Sequence, residues 1–336
     1  MTALIVLDPG AGNFKVIVGD GGRTRQNESR VIVPAWAGTP RGQEFRPQEG
    51  VDVPKDQPLS IQFDSNRFIT GYGAHSFVRV IADLDDTRFT GSPVGALTYD
   101  ALTRLWPTKE EEKWSISPAR MIVGLPQSAY EIHREDPDQA VVSWLQRKHE
   151  WEANGKPYKL DIQEVKVTSQ PIGIFFGWML NTEGGVNMSS VQDYKSGRPF
   201  GAISIGASTV ELNATIGAEV QPVYSASKPL GVRELLDSID GDFGIPRADA
   251  MLRRGELNYT PFLEGWWAKI RGLVEESWKD EWRQFCAIRV AGGGALLLER
   301  QIQRYFGGKA KIADEPYFAV AEGLFRWGLG AAKWAK

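Results

Sequence analysis

Hydrophobic and polar positions divide the chain into short β-type runs, joined first by turns and farther along by stretches of helical spacing. The first run, Ala3-Leu4-Ile5-Val6-Leu7, passes without a spacer into Asp8-Pro9-Gly10-Ala11-Gly12-Asn13-Phe14-Lys15, and Val16-Ile17-Val18 resumes the apolar pattern. Residues 3–7, 14–19 and 28–33 read as three consecutive strands, each β-branched and bounded by Gly, Asp or Asn. The glycine turn is therefore a hairpin loop rather than a helix entry. Pro34, Gly38, Pro40, Gly42, Pro47, Gly50, Pro54 and Pro58 punctuate residues 34–60, which predicts a loop-rich excursion in a small inserted subdomain. Ser60–Phe63 and Arg67–Thr70 flank Asp64-Ser65-Asn66 as a hairpin, and Gly71-Tyr72-Gly73-Ala74 ends it. Ala96, Leu97, Ala101, Leu102 and Leu105 give residues 95–106 a helical period.

Farther on, Ala119–Leu125 is a buried-type strand stopped by Gly124 and Pro126, and residues 136–152 read as a helix that ends at Asn154-Gly155. Ile162 to Val167 alternates as a strand, and Thr168-Ser169-Gln170-Pro171-Ile172-Gly173 turns into an apolar helix from Ile174 to Leu180. Strands alternating with helices predict an α/β layered domain. Residues 181–199, rich in Gly, Asn and Ser, are the best candidate for a domain boundary. The chain then repeats its opening plan: strand Phe200–Ile205, small-residue turn Gly206-Ala207-Ser208-Thr209, returning strand Val210–Ile216. Residues 230–240 and 261–284 are helical, the second with Leu263, Trp267, Ile270, Val274 and Trp278 on one stripe. Strand Ala287–Val290 enters Ala291-Gly292-Gly293-Gly294-Ala295, helix Leu296–Phe306 follows, and Asp314-Glu315-Pro316 precedes a closing helix from about Phe318.

Composition narrows the class. With 42% hydrophobic and 24% charged residues the chain is an ordinary globular protein, and 336 residues allow about two domains. A formal net charge of −3 supplies no basic field, so no direct nucleic-acid binding is expected. Cys286 is the only cysteine, which excludes a disulfide framework, and its apolar neighbours place it in the core. The twelve tryptophans read as core material. No basic leader with a long apolar region opens the sequence and no eighteen apolar residues run together, so a soluble, cytoplasmic protein with no membrane association is expected. His75, His133 and His149 lack metal-ligand spacing.

Candidate chemistry lies in the turns. In a hairpin loop with two glycines, backbone N–H groups can converge on phosphate oxygens. Asp8 beside them could hold Mg2+ through water, and Lys15 could neutralise phosphate charge. Taken alone, the same residues describe a β-hairpin with a glycine-rich turn as well as they describe a phosphate cradle. Two further strand-to-glycine turns, at residues 206–211 and 291–295, tip the balance. Two hairpins can grip a triphosphate, and Gly292-Gly293-Gly294 lets backbone pass flat against a base or ribose.

With these motifs the sequence resembles the actin/Hsp70/sugar-kinase ATPase superfamily, and within it the ParM-like bacterial and archaeal actins. Asp8–Lys15 is similar to the first phosphate motif, Gly206-Ala207-Ser208-Thr209-Val210-Glu211 to the second, and Gly292-Gly293-Gly294-Ala295 to the adenosine motif. Gly71-Tyr72-Gly73-Ala74 and Val123-Gly124-Leu125-Pro126 resemble landmarks of the first domain, and Gln170 falls where the family carries the residue that orients the attacking water. The resemblance implies an actin-like ATPase fold, two related ribonuclease-H-like domains flanking a nucleotide cleft. Domain I is expected over residues 1–180 with the insertion at about 34–115, and domain II over 181–336 with its C-terminal helix packing back on domain I.

The implied cofactors are ATP or GTP with Mg2+. The implied phosphate and nucleoside contacts are Gly10, Ala11, Gly12, Asn13 and Lys15 from the first turn, Gly206, Ala207, Ser208 and Thr209 from the second, and Gly292, Gly293 and Gly294 from the third. Arg233 and Glu234, on the helix after the second hairpin, are candidates for the ribose or base. Asp8 is the expected metal residue and Gln170, with Asp8, the expected catalytic one. One departure stands out: Ser204 occupies the place of a family Asp, and Glu211, seven residues on, is expected to alternate onto a different point of the hairpin. Binding should survive and hydrolysis be slow.

The implied function is a nucleotide-dependent, filament-forming weak ATPase, for ParM-type plasmid segregation or a bacterial cytoskeleton, with a second copy of itself and a DNA-binding adaptor as partners. The alternative is a small-molecule kinase of the same fold. That reading needs a substrate pocket and a catalytic base, usually an Asp, in the first domain, and Asp100 reads as a helix cap instead.

Overall fold

The computed structural model describes residues 2–20, 29–40, 57–81, 88–106, 116–136, 139–217, 219–239 and 245–330. It divides into two compact units, one of Met1–Gln170, Thr182–Gly185 and Leu324–Lys336, the other of Pro171–Asn181 and Val186–Gly323. Much of the punctuated stretch at 34–60 (residues 41–56), and residues 82–87 and 107–115 of the expected insertion, lie outside the described residues.

The first unit is built on strands β1 (Ala3–Pro9), β2 (Asn13–Gly19), β3 (Ser29–Pro34), β4 (Ala37–Gly38), β5 (Leu59–Phe63) and β6 (Asn66–Thr70). Helix α1 (Ser92–Arg104), strand β7 (Ala119–Leu125), helices α2 (Gln127–Glu135) and α3 (Ala140–Leu145) and strands β8 (Lys148–Ala153) and β9 (Lys156–Ser169) follow. Among the described residues the strands run in the order β3-β2-β1-β7-β9-β8-β5-β6-β4. β1 is antiparallel to β2 and parallel to β7, and β7 is parallel to β9. Every residue of β1 is buried. Ile5 and Leu7 join the main core, while Leu4 meets the closing helix, where a Cβ on Gly328 would lie 2.6 Å from its Cδ2.

In the second unit, helix α4 (Gln170–Met179), whose first residue still counts with the first unit, leads to α5 (Met188–Lys195), β10 (Phe200–Ile205), β11 (Val210–Ile216), β12 (Glu219–Val220) and β13 (Ala226–Lys228). Then come α6 (Val232–Ile239), α7 (Ile245–Arg253), α8 (Leu263–Ser277), β14 (Ala287–Ala291), α9 (Gly293–Leu297), α10 (Glu299–Phe306), β15 (Ala310–Ile312) and α11 (Ala319–Gly330). The sheet order is β12-β11-β10-β14-β15, with β13 pairing β11. β10 is antiparallel to β11 and parallel to β14, which is parallel to β15, so the second unit repeats the strand plan of the first. A layer of tryptophans fills its core: Trp266, Trp267, Trp278 and Trp282 are all buried.

Three local expectations are corrected. Residues 136–152 are not one helix: after the short α3, β8 alternates exposed Lys148, Glu150 and Glu152 with buried His149, Trp151 and Ala153, a period of two. Asn154 and Gly155, at φ 50° and 79°, make the tight turn into β9, so the Asn-Gly pair marks a hairpin and not a helix end. Cys286 is only partly buried. Asp100 does not cap α1. It lies in the helix interior, fully buried, and pairs with Arg104 one turn on, while its Oδ2 has no partner among the described residues. Gly71 (φ +79°) folds over this carboxylate, where a Cβ would lie 2.7 Å from Oδ2.

The boundary stretch 181–199 also holds a helix, α5, capped by the Asn187 side chain accepting from Ser189 N at 3.2 Å.

Removing one partner of a buried ion pair leaves an uncompensated charge, which costs about 3–5 kcal/mol. Arg104→Ala is therefore expected to destabilise the protein by roughly that amount, read as a drop in the urea midpoint, whereas an exposed pair such as Lys159–Glu150 should contribute under about 1 kcal/mol.

Candidate functional site

In the first unit the site is assembled by strand register. Asp8 and Lys15 are direct cross-strand partners in the β1–β2 hairpin, so their side chains leave the same face of the sheet. Lys15 Nζ donates to Asp8 Oδ2 at 3.0 Å. The lysine reaches back across the turn because Gly10 has no side chain: a Cβ there would lie 2.9 Å from Nζ and from Asn13 O. The turn is closed by Gly10 N donating to Asp8 O and anchored by Ala35 N donating to Gly12 O, both at 3.0 Å.

Gln170, the first residue of α4, arrives from far along the chain. Its Nε2 donates to Asp8 Oδ1 at 2.7 Å, although the two residues are 162 positions apart. Asp8 is 1% exposed and Gln170 8%. Burial pushes the Asp8 carboxyl above its ordinary value, and the Lys15 charge, the Lys15 hydrogen bond and the Gln170 hydrogen bond oppose that rise. The structure thus brings Asp8, Lys15 and Gln170 together beside Gly10.

In the second unit the backbone does the positioning. Gly206 N donates to Thr209 O at 2.9 Å to close the β10–β11 turn. The start of α6 then engages its carbonyls: Gly231 N donates to Ser208 O, Val232 N to Gly206 O and Arg233 N to Ala207 O, at 3.1, 3.0 and 2.8 Å. Gly231 makes this approach possible, since a Cβ there would lie 2.5 Å from Ala207 and Ser208 backbone atoms. The carbonyls of Gly206, Ala207 and Ser208 are thereby occupied. Ser208 Oγ is buried and has no partner among the described residues, which leaves a hydroxyl able to meet a ligand oxygen.

The third turn packs against the second. Gly292 (φ +88°) and Gly294 both touch Ile205, the residue just before Gly206: a Cβ on Gly292 would lie 2.2 Å from Ile205 O, and one on Gly294 2.2 Å from Ile205 Cγ2. Gly292 N donates to Pro316 O at 2.9 Å, and the Tyr317 ring lies against Gly293. Trp266 braces the group, lying against Gly294 and donating Nε1–H to Leu230 O at 2.8 Å. Arg233 and Glu234 are placed differently by their side chains. Glu234 pairs with Lys269 on α8. Arg233 lies near Asp249 and Asp237, and burial pulls its guanidinium below the ordinary value.

Ser204 and Glu211 correct one expectation. They are register partners across the β10–β11 hairpin, so both side chains leave the same sheet face and Glu211, 2% exposed, stands directly opposite Ser204. In an antiparallel hairpin a separation of seven brings residues together rather than apart. Tyr317, Trp266, Ile205 and Gly231 were not singled out from the sequence. Gly231 just before a helix is a readable breaker signal, while nothing local marks Trp266 as a brace.

Comparison with known proteins bears on the fold. The family described as "Actin like proteins N terminal domain" is matched over residues 7–173. No curated protein matches the sequence. Among solved structures, a 15-stranded ParM filament from Clostridium botulinum is similar at 18% identity and a TM-score of 0.73, over 97% of this chain and 99% of that one. An archaeal actin homologue in complex with ADP gives 16% identity and a TM-score of 0.69, over 96% and 97%. The filament protein AlfA, from a B. subtilis plasmid, gives 11% and 0.58, over 96% and 98%. At such identities the likeness speaks for the fold, an actin-like ATPase fold.

The approach of Gly231 to the second turn can be tested without any ligand. In Gly231→Ala the new methyl should lift the α6 start from the turn, so the amides of Val232 and Arg233 should exchange with deuterium at least tenfold faster; unchanged protection would show that the contact tolerates a side chain.

Proposed function

The chain belongs to the actin-like proteins, and from that premise we propose that it binds ATP or GTP with Mg2+ and assembles head to tail into filaments whose state follows hydrolysis. The single observation that carries this reading is the Asp8–Lys15–Gln170 cluster at a glycine turn, with hydrogen bonds of 3.0 and 2.7 Å joining residues from opposite ends of the first unit. A buried carboxylate that faces a lysine at a glycine turn and still has acceptor sites to offer is the equipment phosphate chemistry needs.

Phosphoryl transfer to water depends on positioning and charge neutralisation more than on covalent chemistry. The β1–β2 turn, Gly10 to Asn13, and Lys15 hold phosphate oxygens, and the amides and Ser208 hydroxyl of the Gly206–Thr209 turn hold others. Gly292, Gly293 and Gly294 accept the nucleoside. Arg233 and Glu234 remain second-rank candidates for it, since Glu234 is already committed to Lys269. Gln170 orients the attacking water; an amide is too weakly basic to take its proton at neutral pH.

The donor set suits Mg2+. A carboxylate has about four acceptor sites, and Asp8 uses one for Lys15 and one for Gln170. It can therefore hold the ion through water. Among the described residues no three His, Cys, Asp or Glu side chains converge on a protein-only site, so the ion would come with phosphate and water ligands. Bound there, it would neutralise charge on the transferring phosphoryl group.

Ser204 itself supplies no carboxylate, and the acid opposite it, Glu211, is on the neighbouring strand and buried, a displacement that favours slow hydrolysis. Filament architecture of the similar ParM and AlfA structures supports self-association as the partner chemistry. A non-closing head-to-tail contact generates a helix of subunits. A DNA-binding adaptor at the filament end, in the cytoplasm, fits the chain's net charge of −3, which leaves DNA contact to another protein. Plasmid segregation and a cell-shape role both use such a filament. Among the described residues no helix is long and apolar enough to cross a membrane.

Light scattering and pelleting with Mg2+ and ATP, GTP or ADP test this reading: a triphosphate should give polymer and its diphosphate markedly less. No polymer with any nucleotide, together with sugar-stimulated ADP production, would point to a kinase instead. Asp8→Ala should abolish the Mg2+ dependence of nucleotide affinity measured by calorimetry, and Ser204→Asp should speed phosphate release; equal rates would show that the missing acid is not what limits turnover.

A further inference from the structure

We propose that Asp8 is the positioning residue for Gln170, fixing which end of its amide is available to the attacking water; this rests on the nucleotide reading above. An ionised carboxylate can only accept hydrogen bonds. Asp8 faces the Lys15 ammonium at 3.0 Å through Oδ2, so its other oxygen must be met by a donor. Gln170 meets it at 2.7 Å, and the only donor that side chain has is its NH2 group. The two ends of an amide are told apart by such partners and by nothing else.

Three consequences follow for the chemistry. With Nε2 turned to Asp8, Oε1 is the end of the Gln170 amide directed elsewhere, so the amide meets a water on that side as an acceptor. A water that gives one O–H to Oε1 has its lone pairs turned away from the amide, the orientation an in-line nucleophile needs. And the arrangement is rigid before any ligand arrives. Asp8 is pinned by its β2 partner, Gln170 by the first turn of α4, and both are almost fully excluded from solvent. Asp8 thereby takes a second duty besides the metal: it acts through Gln170 on the water, and Lys15 acts on Gln170 through Asp8.

Exchanging donor and acceptor across the same contact separates this role from simple packing. Gln170→Glu places carboxylate against carboxylate, while the double variant Asp8→Asn/Gln170→Glu restores a donor–acceptor pair with the roles swapped and one oxygen still facing out. Single-turnover phosphate release at saturating triphosphate and Mg2+, with affinity measured separately, should fall at least tenfold in Gln170→Glu and be at least threefold faster in the double variant than in Asp8→Asn, which lacks the same carboxylate. Alongside, the Gln170 side-chain NH2 signals in a nitrogen-15 NMR spectrum of the ligand-free protein should be protected from solvent exchange in the wild type. They should lose that protection in Asp8→Asn, where either amide end can face in. A Gln170→Glu variant that hydrolyses as fast as the wild type, a double variant no faster than Asp8→Asn, or an unprotected wild-type amide would each overturn the positioning. Failure of the wild type to bind triphosphate would instead overturn the nucleotide reading itself, and this role with it.

Discussion

The buried carboxylate of Asp8 constrains the first unit more than any other single group. A charge almost fully removed from water costs several kcal/mol unless it is paired and hydrogen-bonded, and at 1% exposure Asp8 has to be met from within the protein. Lys15 meets it because hairpin register puts the two side chains on one face. Gly10 is small because the lysine must cross the turn to do so. Gln170 meets the other oxygen, which couples the start of α4 to the end of β1. The conformation of the turn, the residue at position 10 and the landing point of a distant helix all answer to one electrostatic requirement.

The second unit handles its turns with backbone instead of charge. Amides at the start of α6 occupy the carbonyls of Gly206, Ala207 and Ser208, and the glycines at 231, 292 and 294 allow contacts with main chain or Ile205 that any Cβ would block. Trp266 then links the α6 start to the third turn. The same strand plan therefore carries two differently built turns. In one, a carboxylate and an ammonium face each other across the hairpin; in the other, backbone contacts shape the turn, and the buried Glu211 stands opposite Ser204.

Much of this was legible in the chain. β1, β2, β10, β11 and β14 were readable because buried strands are continuous apolar runs and glycine turns interrupt them visibly. β8 resembles a helix in sequence because its exposed Lys148, Glu150 and Glu152 give a charged run that also suits a helix, and only pairing with β9 selects the period of two. Asp100 looks like a cap in sequence because short-range pattern cannot tell a helix end from a buried ion pair whose lid, Gly71, lies well upstream. For Tyr317 and Trp266 no local signal exists.

The sequence by itself determined which residue types stand at each turn: an acid, two glycines and a lysine at the first, small residues at the second, three glycines at the third. Those are local facts, because turn conformation and strand periodicity depend on neighbours along the chain. Only tertiary structure decided what each side chain faces. It placed Gln170 on Asp8 across 162 residues, set Glu211 opposite Ser204, and turned Glu234 toward Lys269. Register and packing are not written in local pattern: the Asp8–Gln170 and Glu234–Lys269 partners lie far apart in the chain, and the Ser204–Glu211 pair depends on hairpin register. The opening turn shows the division: its composition suits a plain hairpin and a phosphate cradle alike, and the buried hydrogen bonds around Asp8 give its residues their orientations.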